Sequence, residues 1–186
     1  KLQEIWNNLT AADVSQSEKE RRVDYEKLTQ LIGEAITRIG NTSNLILDPE
    51  LDSYYLMDMV VAALPENLNG IAEIRELGLS ILTKADITSE ERAKLAVSLD
   101  ELEHHDLGWI INKDLEEVIR NDPSPECHGP SPSLQTNLPP LAERFSKSAH
   151  ALIALLRKVI SDKPWPGAAQ EFTALIDQTH QDNFRF

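Results

Sequence analysis

Apolar side chains recur at every third or fourth residue along most of this chain, and that spacing limits the fold more than any other feature. Only one face of an α-helix collects positions so spaced. From Tyr25 they run through Leu28, Ile32, Ala35, Ile39 and Ile46, and an earlier stretch of Leu2, Ile5, Trp6 and Leu9 keeps the period. A first helix starting at or before the first residue is expected. Asp48-Pro49 punctuates the pattern, because Asp caps helices and Pro suits their first turn. A second helix then carries Tyr54, Met57, Val61, Leu64, Leu68, Ile71, Ile74, Leu77 and Ile81. Pro65 predicts a kink or a missing bond inside it.

Thr88-Ser89-Glu90-Glu91 is a capping-box pattern, in which threonine and the glutamate three residues later satisfy each other's free amides. It opens a third helix with Leu95, Leu99, Leu102, Trp109, Leu115, Val118 and Ile119, stopping before Pro123. Prolines and serines over about 122–137 predict a long loop. A fourth helix over 137–163 follows, with Leu141, Phe145, Ala149, Leu152, Leu156 and Val159 as its buried stripe. Pro164-Trp165-Pro166-Gly167 ends it, and a last helix holds Phe172, Leu175 and Ile176. No segment shows β-branched alternation. The pattern predicts an all-α fold, an antiparallel up-down bundle of four long helices with a short additional C-terminal helix, in one domain over 1–186.

Composition narrows the functions open to such a bundle. The chain has 186 residues, with 18 basic against 31 acidic side chains and a net charge of −13, which speaks against a nucleic-acid partner. A single cysteine, Cys127, excludes an internal disulfide framework and any multi-cysteine zinc site. No run of about 18 apolar residues is present, and no basic-then-apolar signal opens the chain. Catalytic patterns are missing too. His104 and His105 are adjacent and point to different helix faces, and Cys127-His128 stands in the proline-rich loop with no second cysteine. No glycine-rich phosphate loop or nucleophile elbow occurs. The expectation is a non-enzyme that needs no cofactor and holds no metal.

One stretch says more. Asn41-Thr42-Ser43-Asn44-Leu45-Ile46-Leu47-Asp48-Pro49-Glu50-Leu51-Asp52-Ser53-Tyr54-Tyr55-Leu56-Met57-Asp58 resembles the periplasmic helical sensor regions of bacterial chemoreceptors, sensor histidine kinases and related transmembrane receptors. Those regions carry a run close to SNLILDPDLDSYYLMD, from which this chain departs at Glu50. Leu64-Pro65 and Arg75-Glu76-Leu77-Gly78 continue the likeness. The resemblance implies the extracytoplasmic sensor domain of an inner-membrane receptor whose membrane-spanning and output segments lie outside this chain. It further implies an unknown small-molecule ligand or binding protein as partner, and leaves homodimerisation open.

Each residue of that junction has a structural reading and a ligand reading. Asp48 and Asp52 fit a helix cap and first turn, where the helix dipole favours negative charge. Tyr54 and Tyr55 lie about 100° apart on the helix, so one can pack in the core while the other faces a groove. Asp58 falls beside the apolar stripe and needs a partner, for which Asn44 or Arg38 on the preceding helix is expected. Arg38 and Arg75 are the nearest cations, each otherwise a surface ion-pair residue. The candidate ligand-binding set is Arg38, Asn44, Tyr54, Tyr55, Asp58 and Arg75. The competing reading is a helical dimerisation or scaffolding module without a small-molecule ligand.

Overall fold

The computed structural model describes residues 4, 6–7, 18–43, 47, 49–84, 86–107, 113–124, 129–162 and 164–185, with side chains undescribed at 18–22 and 105–107. The fold is all-α, and no strand occurs among the described residues. Where the sequence suggests one domain, the chain divides into two compact units, Lys1–Leu47 and Asp48–Phe186.

In the first unit, helix α1 spans Glu18–Thr42. The apolar period builds this helix but not a buried stripe. Leu28 is buried, whereas Tyr25, Ile32 and Ile39 are 64%, 45% and 63% exposed. At its end the Thr42 hydroxyl donates to the Arg38 carbonyl at 2.8 Å, a side chain competing for backbone acceptors where the helix stops. Of the earlier stretch, Trp6 is helical and exposed, and Leu2, Ile5 and Leu9 lie outside the described residues.

The second unit opens with helix α2, Leu51–Asp58. Glu50, not Asp48, is the residue before it, with extended backbone at φ −90° and ψ 130°, so Pro49 precedes the helix instead of sitting in its first turn. Asp48 lies outside the described residues. A π-helical turn over Met59–Ala63 follows, and α3 continues over Leu64–Leu82. The Leu64 amide donates five residues back, to the Met59 carbonyl. Pro65 has no amide to donate, and its ring crowds the carbonyl one turn before it. A wider turn ahead of the proline makes room, so the helix passes through it.

The expected capping box is present. Glu91 donates its amide to the Thr88 hydroxyl at 3.2 Å, and Thr88 donates its amide to the Glu91 carboxylate at 2.9 Å. Helix α4 spans Ser89–Glu101 and runs into a second π-helical turn, Leu102–Leu107. Trp109 lies outside the described residues. Helix α5, Leu115–Asn121, stops before Pro123 as expected.

The proline-rich loop is shorter than its composition predicts. Helix α6 begins at Pro132, not near Asn137, and runs to Ser161. Ser131 accepts the Leu134 amide at 3.3 Å, and Pro132 occupies the first turn, where no amide is required. Asp122 fixes this start by accepting the Ser131 amide at 3.0 Å and the Gln135 side-chain amide at 2.7 Å. Pro139 and Pro140 lie inside the helix with exposed side chains, while the adjacent Leu138 is buried. Caps and burial outweigh local composition here.

Trp165-Pro166-Gly167-Ala168 is a turn with the Ala168 amide donating to the Trp165 carbonyl at 3.0 Å and Gly167 at φ 90°, where glycine carries no steric cost. Helix α7 follows over Ala168–Arg185. It has 18 residues and is not the short appendage the sequence suggests. It packs on both α3 and α6. Gly78 faces Phe172, Arg75 meets Asp177, and Asn67 meets Asn183, so positions rise along α3 as they fall along α7 and the two helices are antiparallel. A Cβ on Gly78 would enter the Phe172 ring, which explains a glycine in mid-helix despite its poor helix propensity. The main core gathers Ile71, Ile74, Leu95, Leu99, Phe145, Leu152, Leu156 and Phe172 among others from α3, α4, α6 and α7.

Candidate functional site

A second, smaller apolar cluster lies away from that core. Met59, Val118 and Leu138 are buried in it, with Tyr55, Leu56, Leu64, Leu115, Ile119 and Leu134 packed against them. It joins α2 and its π-helical turn to α5 and the start of α6. Tyr55 and Met59 share the face of α2 turned toward this cluster, being one turn apart. Tyr54 is 40% exposed and meets Tyr55 edge-on, ring centroids 5.4 Å apart at 78°. The adjacent tyrosines therefore divide between cluster and surface, as their angular separation requires.

Carboxylates gather around this cluster. Asp52, in the first turn of α2, is buried, and its Oδ1 accepts no hydrogen bond among the described residues. Asp114, immediately before α5, is 1% exposed, and its Oδ2 is likewise unpartnered among the described residues. Burial is the main influence pushing the Asp114 carboxyl above its ordinary range, and the nearby Asp58 charge adds to it while Lys113 opposes. Asp58 ends α2, Asp114 immediately precedes α5, and these two helices pack on each other. Met59 and Val118, which follow Asp58 and Asp114 in sequence by one and four positions, meet in the apolar cluster.

Backbone geometry changes at both residues. Asp58 ends α2 where the π-helical turn begins, and Lys113 and Asp114 are themselves π-helical immediately before α5. Such turns redirect side chains relative to a regular helix.

Of the six candidate residues, four lie in the second unit, and the structure brings three of those together. Tyr54, Tyr55 and Asp58 lie within two turns of α2. Arg75 is 17 positions beyond Asp58, about 25 Å along a helix axis, so it is a correction to the expected set. It pairs instead with Asp177 at 3.1 Å, both side chains nearly half exposed, which is an interhelical surface ion pair. Arg38 is exposed on α1 in the other unit, and Asn44 lies outside the described residues. The neighbour that sequence reasoning missed is Asp114. Its signal is weak: a carboxylate four residues before the apolar Val118 of the third helix, on the side that has to be buried.

The other sequence candidates give little. His104 is exposed and its ring nitrogen lies 3.1 Å from the Asp100 carbonyl, while the side chain of His105 is undescribed. Cys127 and His128 lie outside the described residues. Among the described residues no group of three or more His, Cys, Asp or Glu side chains is placed to hold a metal ion. No described helix is long and apolar enough to cross a membrane. Comparison with protein-family models, with curated proteins and with solved structures finds no match.

Proposed function

We propose that this chain is the extracytoplasmic sensor domain of a bacterial signal-transducing receptor, a sensor histidine kinase or chemoreceptor, located on the periplasmic side of the inner membrane. The observation that carries this reading is the run Ser43–Asp58 and its likeness to the sensor regions of those receptors. In the fold that accompanies it, α3, α4, α6 and α7 form an antiparallel up-down four-helix bundle. The domain performs no chemistry. It takes a small molecule or a partner protein and passes the event on as helix displacements of about 1–2 Å, a scale that packed helices transmit without repacking.

The reading is supported by where the helical half of the run sits. It places an aromatic wall and a half-buried carboxylate at a junction of three helices, where burial is costly and a ligand can offset the cost. A topology reporter tests it directly. Alkaline phosphatase fused after Arg185 in the full-length receptor is expected to be active, because the enzyme folds only outside the cytoplasm. A cytoplasmic reporter active at the same position, with the phosphatase silent, overturns the reading.

One observation favours a second reading, a dimerisation or scaffolding module. Tyr25, Ile32 and Ile39 recur at seven-residue spacing on α1 and all are exposed. Sedimentation of the purified domain separates the two. A dimer that Ile32→Ser and Ile39→Ser together convert to monomer, with no ligand response, supports the scaffold.

A further inference from the structure

The Asp58–Asp114 neighbourhood is costly as it stands. A buried carboxylate oxygen without a donor loses its water and gains nothing in return. Asp114 Oδ2 is in that position among the described residues, in a side chain 1% exposed. Among the charges acting on it unfavourably, the Asp58 carboxylate acts most strongly, which compounds the loss. Asp122 is an internal comparison. It is equally buried, at the other end of the same helix, yet it accepts bonds from Ser131 and Gln135 and holds the start of α6. Among the described residues, the fold supplies donors to the carboxylate that has a structural task and none to Asp114 Oδ2.

We propose that Asp58 and Asp114, with the Tyr55 ring beside them, form a recognition site for an organic ammonium ion, the protonated form of a primary amine. An ammonium group brings three donors and one positive charge. One donor satisfies Asp114 Oδ2, another bonds Asp58, and the charge removes the repulsion between them. Tyr55, three residues before Asp58, lies on an adjacent part of the helix surface, where its ring face can attract the same cation. Met59, Leu115 and Val118 belong to the adjoining apolar cluster.

The donor set favours ammonium over a metal. Two carboxylates fall short of the six to eight oxygens that calcium takes, and no third ligating side chain joins them among the described residues. The −13 charge of the chain draws cations toward the protein in any case, so the selective step is made by these two carboxylates and not by the overall field.

This inference deepens the sensor reading by naming the chemical class of its ligand. Binding to the purified domain and the topology reporter are separate measurements, so failure of one leaves the other intact. The test is thermal unfolding of the purified domain at pH 7.5 with butylamine hydrochloride, against sodium chloride at equal ionic strength. At about ten times its Kd the amine is expected to raise Tm by about 3–5 °C beyond the salt. Asp114→Asn removes one charge without changing shape. It is expected to raise Tm in the absence of amine and to abolish the amine response. Arg75→Ala is expected to keep the response in full. No rise beyond sodium chloride, an equal rise in Asp114→Asn, or a larger rise with calcium chloride than with the amine would each overturn the proposal.

Discussion

The main core and the smaller cluster of the second unit use buried space differently. Among the described residues, seventeen buried apolar side chains make the first, from α3, α4, α6, α7 and the Leu102 turn, and three make the second. The large core meets polar groups mainly at its edge. There Asn67 donates to Asn183 Oδ1 at 2.9 Å, and Asp182 accepts from Gln178 at 2.9 Å. These contacts leave one Asn67 oxygen and one Asp182 oxygen without a partner among the described residues, yet each side chain is anchored. A buried polar pair of that kind fixes which turn of α3 lies against which turn of α7. Around the small cluster Asp52 and Asp114 are buried without an anchoring hydrogen bond among the described residues. Stability explains the first region. It does not explain the second, where a fold selected for stability alone would place neutral side chains.

Substitutions that truncate each region measure this contrast. Phe172→Ala removes a side chain with no exposure from the centre of the large core and is expected to cost about 3–5 kcal/mol. Met59→Ala in the small cluster is expected to cost about 2 kcal/mol, the low end for such a truncation, because its surroundings are half-buried and can collapse. Denaturant unfolding of both variants checks the order, and equal losses would erase the distinction. A smaller effect belongs to the start of α4. Thr88→Ala removes the capping box and is expected to cost about 1 kcal/mol.

The same cap has a pH signature of fixed sign. The Lys84 side chain beside Glu91, followed by the Thr88 amide, holds the Glu91 carboxyl down to about 2. Its folded value lies below its unfolded value near 4.5, so this contribution is present above that value and is lost as pH falls toward 2. Acid titration of unfolding in Glu91→Gln, compared with the parent chain, is expected to show a smaller loss across that window.

Much of this was legible in the residues. The three-and-four spacing marks the helices, Thr88–Glu91 marks a cap, and the adjacent tyrosines imply rings on different helix faces. What escaped the sequence was long-range or cooperative. Pro132 suggests a loop until Ser131 and Asp122 are seen to hold the start of a helix there. The last helix looks short because Phe172 and Ile176 are its only large buried apolar residues, the rest of its buried face being Ala168, Thr179, Asp182 and Asn183. Arg75 reads as close to the junction because the sequence measures separation in residues, whereas a helix turns 17 residues into distance. Asp114 carries only the weak mark of its place four residues before Val118, because no local pattern shows which carboxylate faces another helix.

The central claim is that Asp114 is kept at the expense of stability. Its folded carboxyl is raised by burial and by Asp58, so ionisation opposes folding, and stability falls as pH rises from about 4 through the folded value. The direct measurement is the unfolding free energy of Asp114→Asn and of the parent chain between pH 4 and pH 8 in the absence of amines. The account predicts a variant more stable by about 1–2 kcal/mol at pH 7.5, with the gap closing toward pH 4. A variant less stable than the parent at every pH would contradict it, and would make Asp114 a structural carboxylate like Asp122.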